Sequence, residues 1–398
     1  MPNYVDNSQI KRPLIETAPV WVATPTELEK LSKQLSRESA VAVDTESDSL
    51  YSYFEKVCLL QFSVHGTDYL VDPLALNGEG DAMQMLAPLF ADPNIEKVFH
   101  AAEYDILCLK RDDHFEFANL FDTMIAARIL GWKNVGLGNI LQERFGIALN
   151  KKMQRADWGF RPLTEEQISY AREDTHFLLG LRDLQIEELD KLGRLEEARE
   201  QFARLTLVEP NVRQFDPEAY WNIDGARDLN PTELGTLREL FRFRDAQARK
   251  EDRPPFKVLS DAMLLHLSKA RPASPRALAQ TSGVPEVVAR RYGTSILSAI
   301  TRGENSPQTT PPHPRPRSES FLDNAARNRM GKLKEWRKER AAKRGVETDV
   351  IVSNDALAAI ARKNPRTLEA LIETSGLGPW KANEYGEELL AVLHGKKK

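Results

Sequence analysis

Long apolar runs are missing from this chain. No uninterrupted hydrophobic stretch approaches the roughly 20 residues that a bilayer-crossing helix needs. The N-terminal stretch MPNYVDNSQIKRPLIETAPV holds no apolar core of the length found in secretion signals. Membrane insertion and secretion are therefore poor readings, and a cytoplasmic protein is expected. Cysteine is scarce as well. Cys58 and Cys108 are the only two, each inside an apolar run and without metal-like spacing, so both are expected to be reduced core residues. Positive charge is not in excess either. With 55 Lys and Arg against 59 Asp and Glu the net charge is −4, which argues against a protein coated in basic residues for gripping a polyanion.

The basic residues that are present gather late in the chain. Between Asn324 and Gly345 stand Arg327, Arg329, Lys332, Lys334, Arg337, Lys338, Arg340, Lys343 and Arg344 against only Glu335 and Glu339, and the chain ends Lys396-Lys397-Lys398. At 398 residues, 41% apolar and 29% charged, the composition is that of a globular protein too long for a single core, so two or three domains are expected.

Up to about Leu207 short β-like runs alternate with helical patterns, which reads as an α/β domain. Strands are expected at Trp21-Val22, Val41-Ala42-Val43, Val57–Val64, Tyr69–Val71 and Lys97-Val98-Phe99. A first helix should start on a capping box, with Thr24 as N-cap, Pro25 at the first position and Glu27 at the third, and run to about Ser36. Further helices are expected over Ala82–Phe90, Tyr104–Lys110, Phe121–Leu130 and Gly138–Phe145.

From about Glu209 no strand is expected, and an internal repeat appears at an offset of 93 residues. Leu240, Phe243-Arg244, Ser260, Pro272, Leu278, Thr281-Ser282-Gly283 and Tyr292-Gly293 return as Leu333, Trp336-Arg337, Ser353, Pro365, Leu371, Thr374-Ser375-Gly376 and Tyr385-Gly386. Each copy should be an all-helical unit. Between them residues 304–320 carry Pro307, Pro311, Pro312, Pro314 and Pro316, an extended linker that would let the second copy move relative to the first.

Three segments carry candidate chemistry. Strand alternation over Val41–Glu46 puts Asp44 and Glu46 on one face. Like charges at that spacing repel unless a cation neutralises them, but an Asp-x-Glu alone is equally well a solvated strand end. Asp105 stands in the first turn of the helix after His100, where an acid is also favoured by the helix dipole. Thr164 and Gln167 form a second capping box, after which Tyr170 and Asp174 lie four apart on one helix face that Phe177 and Leu181 continue. An acid in that stripe should be partly buried, and a buried carboxylate needs a counter-charge or a metal. Hard divalent ions take oxygen ligands, so carboxylates from separate elements can hold them against a phosphate.

Asp44-x-Glu46, Asp105 after His100 and Tyr170-x-x-x-Asp174 stand in the order of the three motifs of the DEDD exonucleases, and the chain resembles the Tyr-containing branch of that superfamily. Residues Asp157–Thr164 are similar to the segment before the third motif in ribonuclease D and its exosome-associated relatives. Phe121-Asp122-Thr123 and Gly136-Leu137-Gly138-Asn139 are similar to family segments too, and the paired C-terminal units resemble HRDC domains. The resemblance implies a ribonuclease H-like α/β exonuclease domain, a mixed sheet flanked by helices, over residues 1–207. It implies HRDC-like all-α domains over 213–303 and 321–398, joined by the linker 304–320.

It further implies a 3′→5′ exoribonuclease acting on single-stranded RNA 3′ ends, tRNA precursors foremost, with two divalent ions, Mg²⁺ or Mn²⁺, and no obligate protein partner. In that reading Asp44, Glu46 and Asp174 hold the first metal, Asp44 bridges to the second, Asp105 reaches the second, and Tyr170 orients the attacking water. Trp158 and Arg161 are as well suited to packing as to RNA contact, and His100 and His176 are expected to be structural. Lys151 is the better candidate for a phosphate contact. The rival readings are an exonuclease acting on DNA, and a non-catalytic RNA-binding protein, which would have lost one of the carboxylates.

Overall fold

The computed structural model describes residues 17–76, 81–210, 214–308 and 323–395. Helix α1 (Pro25–Leu35) starts on its capping box, with Thr24 Oγ1 accepting from the Glu27 amide and the Glu27 carboxylate taking the Thr24 amide. Its Leu28, Leu31 and Leu35 pack with Val41 and Val43 in one core layer. Six strands make a mixed sheet in the order β1 (Val20–Val22), β4 (Thr67–Val71), β3 (Val57–Val64), β2 (Ala40–Ser47), β5 (Glu96–Phe99) and β6 (Leu120–Asp122). β2 runs antiparallel to β3 and parallel to β5. Every residue of β3 is buried, as expected for a strand with both faces covered.

Helix α2 (Glu103–Asp113) lies with α1 on one face of the sheet, through Ile106 and Leu109. The other face carries α3 (Thr123–Leu130), α5 (Leu178–Lys191) and α6 (Leu195–Leu205) over Ala42, Val98 and Phe121, while α4 (Glu165–His176) packs through Ala171 with Cys58, Leu59 and Leu70 of β3 and β4. Cys58 and Cys108 are buried free thiols. No helix among the described residues is long and apolar enough to cross a membrane.

Three elements differ from expectation, the first being the helix expected over Ala82–Phe90, which is a 3₁₀ helix Ala82–Leu86 followed by an α-helix Ala87–Ala91. Phe121 and Asp122, expected to open a helix, belong instead to strand β6, and the helix begins only at Thr123 because Asp122 caps it, accepting from the Met124 and Ile125 amides. The face running through Tyr170, Asp174, Phe177 and Leu181 is not one continuous helix. Phe177 closes α4 and opens α5, so Leu181 joins Ala127 and Ile140 instead of the Tyr170 stripe.

The repeat is reproduced in the backbone. Helix α7 (Pro231–Glu251) and helix α9 (Asn324–Arg344) begin and end 93 residues apart, as do the starts of α8 (Glu286–Glu304) and α10 (Pro379–His394). Each copy buries one arginine in the same way: Arg244 donates to the Leu259 carbonyl at 3.2 Å, Arg337 to the Val352 carbonyl at 2.7 Å. A guanidinium stays charged at any physiological pH, so these carbonyls are its means of tolerating burial. Most of the proline-rich linker, from residue 309 on, lies outside the described residues, and Glu304 still belongs to α8.

The described chain divides into two compact units. One comprises residues of 57–210 together with those preceding Asp48 and those after Ser320; the other comprises 48–56 and residues of 211–320. The second repeat copy therefore belongs to the same unit as the α/β sheet.

Candidate active site

β2 is longer than its neighbour. It pairs with β5 only through Ala40–Ala42, while its pairing with β3 continues past Asp44 and Glu46 to a bulge at Glu46/Ser47. The two carboxylates therefore project from a strand end that β3 holds on one side and nothing in the sheet holds on the other. Asp105 comes from the first turn of α2, which follows β5 through a turn where Ala101 adopts φ 63°. Asp122 fixes that turn: besides capping α3 it accepts the amides of Ala101 and Ala102, so one buried carboxylate ties the starts of two helices together. Tyr170 and Asp174 come from α4, started by the Thr164–Gln167 capping box.

Ligand oxygens of Asp44, Glu46 and Asp174 lie within 4.8 Å of one another. Asp105 stands close enough for its charge to act on both Asp44 and Asp174. Burial first, and then the charges of Asp105, Asp174 and Glu46, push the Asp44 carboxyl well above its ordinary range. Glu46 is raised in the same way. Burial, opposed by a bond from Thr45, pushes Asp105 up to about 7, and burial, opposed by a bond from Tyr170, pushes Asp174 up to about 7. The Tyr170 hydroxyl is raised far above its usual value by burial and by Asp174, Glu46 and Asp44, so it stays protonated.

An all-oxygen, all-carboxylate donor set that must keep protons when left to itself fits hard divalent cations. The motif resemblance to the DEDD exonucleases implies such ions, and these residues fit that requirement.

Thr45 was not singled out by the sequence. Its side chain leaves β2 on the face opposite Asp44 and Glu46, and from there Oγ1 donates to Asp105 Oδ1. Strand alternation shows which face it occupies, but only the position of α2 shows what it meets. A second device braces α4. Arg172 and His176, two residues either side of Asp174, both reach the buried carboxylate of Asp68 on β4, at 2.5 and 2.9 Å, and Ser63 donates to it at 2.7 Å. Burial alone would raise the Asp68 carboxyl, but the bonds from His176, Ser63 and Arg172 outweigh it and hold it below its usual value. Asp68→Asn should therefore destabilise the fold by about 3 kcal/mol, because it strands a buried guanidinium. Chemical denaturation reads this, and a loss under about 1 kcal/mol would show that the network contributes little.

Trp158, Arg161 and His100 are held within the fold. Trp158 is fully buried beside Tyr170, and Arg161 is used up by Asp72 and by the carbonyls of Cys58, Trp158 and Phe160. His100 shares a hydrogen bond with Thr123, and burial lowers its pKa to about 4. Lys151 lies in a short 3₁₀ helix, Lys151–Arg155.

The raised carboxyl groups set a pH dependence. Asp105 and Asp174 keep protons up to about pH 7 in the cation-free fold but lose them near pH 4 when unfolded. Stability without cations therefore falls as pH rises from about 4 to 7. Ions that replace those protons should raise the melting temperature more at about pH 8 than at about pH 6. A rise independent of pH would contradict the shifts.

Comparison with known proteins places these residues in context. A family model described as 3'-5' exonuclease matches residues 19–189, and a model of the HRDC domain matches residues 233–300 and 326–393. Ribonuclease D from Gluconacetobacter diazotrophicus is 30% identical over 381 residues, covering 95% of this chain and 93% of that protein. The exosome complex exonuclease RRP6 of Saccharomyces cerevisiae is 34% identical over 302 residues, covering 72% of this chain. The chain spans less than half the length of that RRP6 protein, 40% of it. The crystal structure of the catalytic core of RRP6 from Trypanosoma brucei superposes with a TM-score of 0.67 at 32% identity, over 73% of this chain and 81% of that one.

Proposed function

Because this chain belongs to the ribonuclease D family, we propose that it shortens RNA from the 3′ end, releasing nucleoside 5′-monophosphates, with Asp44, Glu46, Asp105, Tyr170 and Asp174 as its catalytic residues. The observation that carries this reading is the meeting of four carboxyl groups from three elements at one end of β2, where burial and mutual repulsion leave them in need of cations. Asp44, Glu46 and Asp174 would hold one divalent ion, Mg²⁺ or Mn²⁺, and Asp44 and Asp105 a second. When bound, such ions offset phosphodiester charge and make a water easier to deprotonate.

Tyr170, kept protonated by burial and its acidic neighbours, cannot act as a base; its hydroxyl orients the attacking water. The water oxygen gives up one proton and bonds to phosphorus, the bond from phosphorus to the 3′ oxygen of the preceding nucleotide breaks, and that oxygen takes up one proton, so the proton count is unchanged. Thr45 keeps Asp105 turned toward the other carboxylates.

The modules are proposed with the boundaries 1–207, 213–303 and 321–398, in a cytoplasmic protein whose natural substrates are the single-stranded 3′ ends of tRNA precursors. Of the nine basic residues around α9, Arg329, Arg337, Arg340 and Arg344 are engaged within the folded unit, and Arg327 has a partner as well. Lys332, Lys334, Lys338 and Lys343 are exposed, and they are the proposed backbone contacts. The test is to offer 5′-labelled single-stranded RNA and DNA with Mg²⁺, Mn²⁺ or chelator. Stepwise shortening of RNA that chelator abolishes is expected; activity surviving chelator sinks the cation reading, and a preference for DNA overturns the substrate.

A further inference from the structure

The two repeat copies differ at the positions that matter for what each one touches. In the second copy Arg344, the last residue of α9, holds the fully buried carboxylate of Glu197 on α6 with both terminal nitrogens, at 3.1 and 2.5 Å, and also donates to the Tyr385 hydroxyl. Arg194 donates to the Arg344 carbonyl at 2.9 Å. Val346 and Val350 enter the apolar cluster of Phe121, Ala198 and Phe202. Gly131 at the end of α3 and Gly345 approach so closely that a Cβ on Gly131 would lie 2.2 Å from the Gly345 oxygen. The Glu200 carboxylate sits at the N-terminus of α10, taking the amides of Trp380 at 2.5 Å and Lys381 at 3.5 Å. A Cβ on Gly378 would meet that carboxylate at 2.1 Å.

Moving back 93 residues, all of these positions but Gly345, where an added Cβ would meet nothing, hold in the first copy something that could not dock there. Arg344 becomes Glu251, Gly345 becomes Asp252, Val346 becomes Arg253, Val350 becomes Lys257 and Gly378 becomes Pro285. Glu251 would set a second carboxylate against Glu197, and the lysine would enter an apolar cluster. In the first copy these residues serve a different segment. Asp252 accepts the amides of Tyr53 and Phe54 at 2.9 and 3.0 Å, Lys257 Nζ stands 3.6 Å over the Tyr51 ring, and Glu251 takes the Tyr292 hydroxyl at 2.8 Å.

We propose that the second copy carries a dedicated docking face for the exonuclease domain, made of Arg344–Val346, Val350 and Gly378–Lys381 and selected by the carboxylates of Glu197 and Glu200, and that the first copy is barred from it. The second HRDC-like unit is then a fixed part of the nuclease body, not a tethered arm, and the two copies are not interchangeable. This rests on the repeat and its contacts, not on the catalytic reading.

Hydrogen exchange on the full-length protein tests it. Arg344→Glu should speed exchange of the α6 and α10 amides by about tenfold or more while leaving those of α7 unchanged, and Arg344→Glu combined with Glu197→Arg should restore most of the protection. Gly378→Ala, which alters no charge, should speed exchange at the start of α10. Wild-type exchange in Arg344→Glu and Gly378→Ala, or a double variant no slower than Arg344→Glu alone, would overturn the proposal.

Discussion

Asp44→Asn is expected to slow removal of nucleotides from single-stranded RNA by at least about a thousandfold, a loss of roughly 4 kcal/mol of transition-state stabilisation. Asp44 is the residue on which the charges of Asp105, Asp174 and Glu46 all act, so it is the centre of the cluster. An amide there supplies one neutral oxygen in place of a carboxylate and cannot bridge two cations as strongly. The same change should stabilise the cation-free protein, because it removes a buried group repelled by three others. Those opposite signs make the test specific: a variant that is inactive and melts at a higher temperature without cations has lost chemistry and kept its fold. An inactive variant that also melts lower would point to damage instead, and an active one would remove Asp44 from the mechanism.

Tyr170→Phe is the second large effect, with kcat expected to fall about a hundredfold and KM nearly unchanged. The ring stays, so the packing on Trp158, whose centroid is 6.0 Å away, survives the change. What is lost is one hydroxyl that bonds to Asp174 and is held protonated across the working pH range. Because that hydroxyl does not titrate, and a cation held by Asp174 would keep that carboxylate ionised whether or not Tyr170 bonds to it, the variant should keep the pH profile of the parent at a lower height. A profile shifted along the pH axis would show that Tyr170 acts by setting the ionisation of Asp174, and a loss below about threefold would assign it to packing alone.

Local rules carried the reading of the sequence a long way. The capping boxes at Thr24 and Thr164 start helices where they stand, because a cap is satisfied by its own next three residues. The repeat register holds at both ends of α7 and α9 and at the starts of α8 and α10, since duplicated sequence carries its own turns. Strand β6 escaped notice because Leu120-Phe121-Asp122 is too short to show alternation, and the helix signal after it is strong. Non-local partners were out of reach. Nothing near Thr45 points to Asp105, nothing near Asp68 points to Arg172 and His176, and Glu197 becomes informative only once Arg344 is seen beside it. Four of the carboxyl groups could be named from motif order, but their shared burial needed the sheet.

The distance along the chain between Asp44 and Asp174, 174 − 44 = 130 residues, has a consequence for biosynthesis. The hydrophobic half of β2 can pair with β3 as soon as that hairpin leaves the ribosome, but the carboxylates at its other end wait for α4. At the usual pace of translation that delay is on the order of ten seconds. A nascent chain ending before Glu165 thus carries Asp44, Glu46 and Asp105 but neither Tyr170 nor Asp174, so the proposed site stays incomplete until α4 has been made.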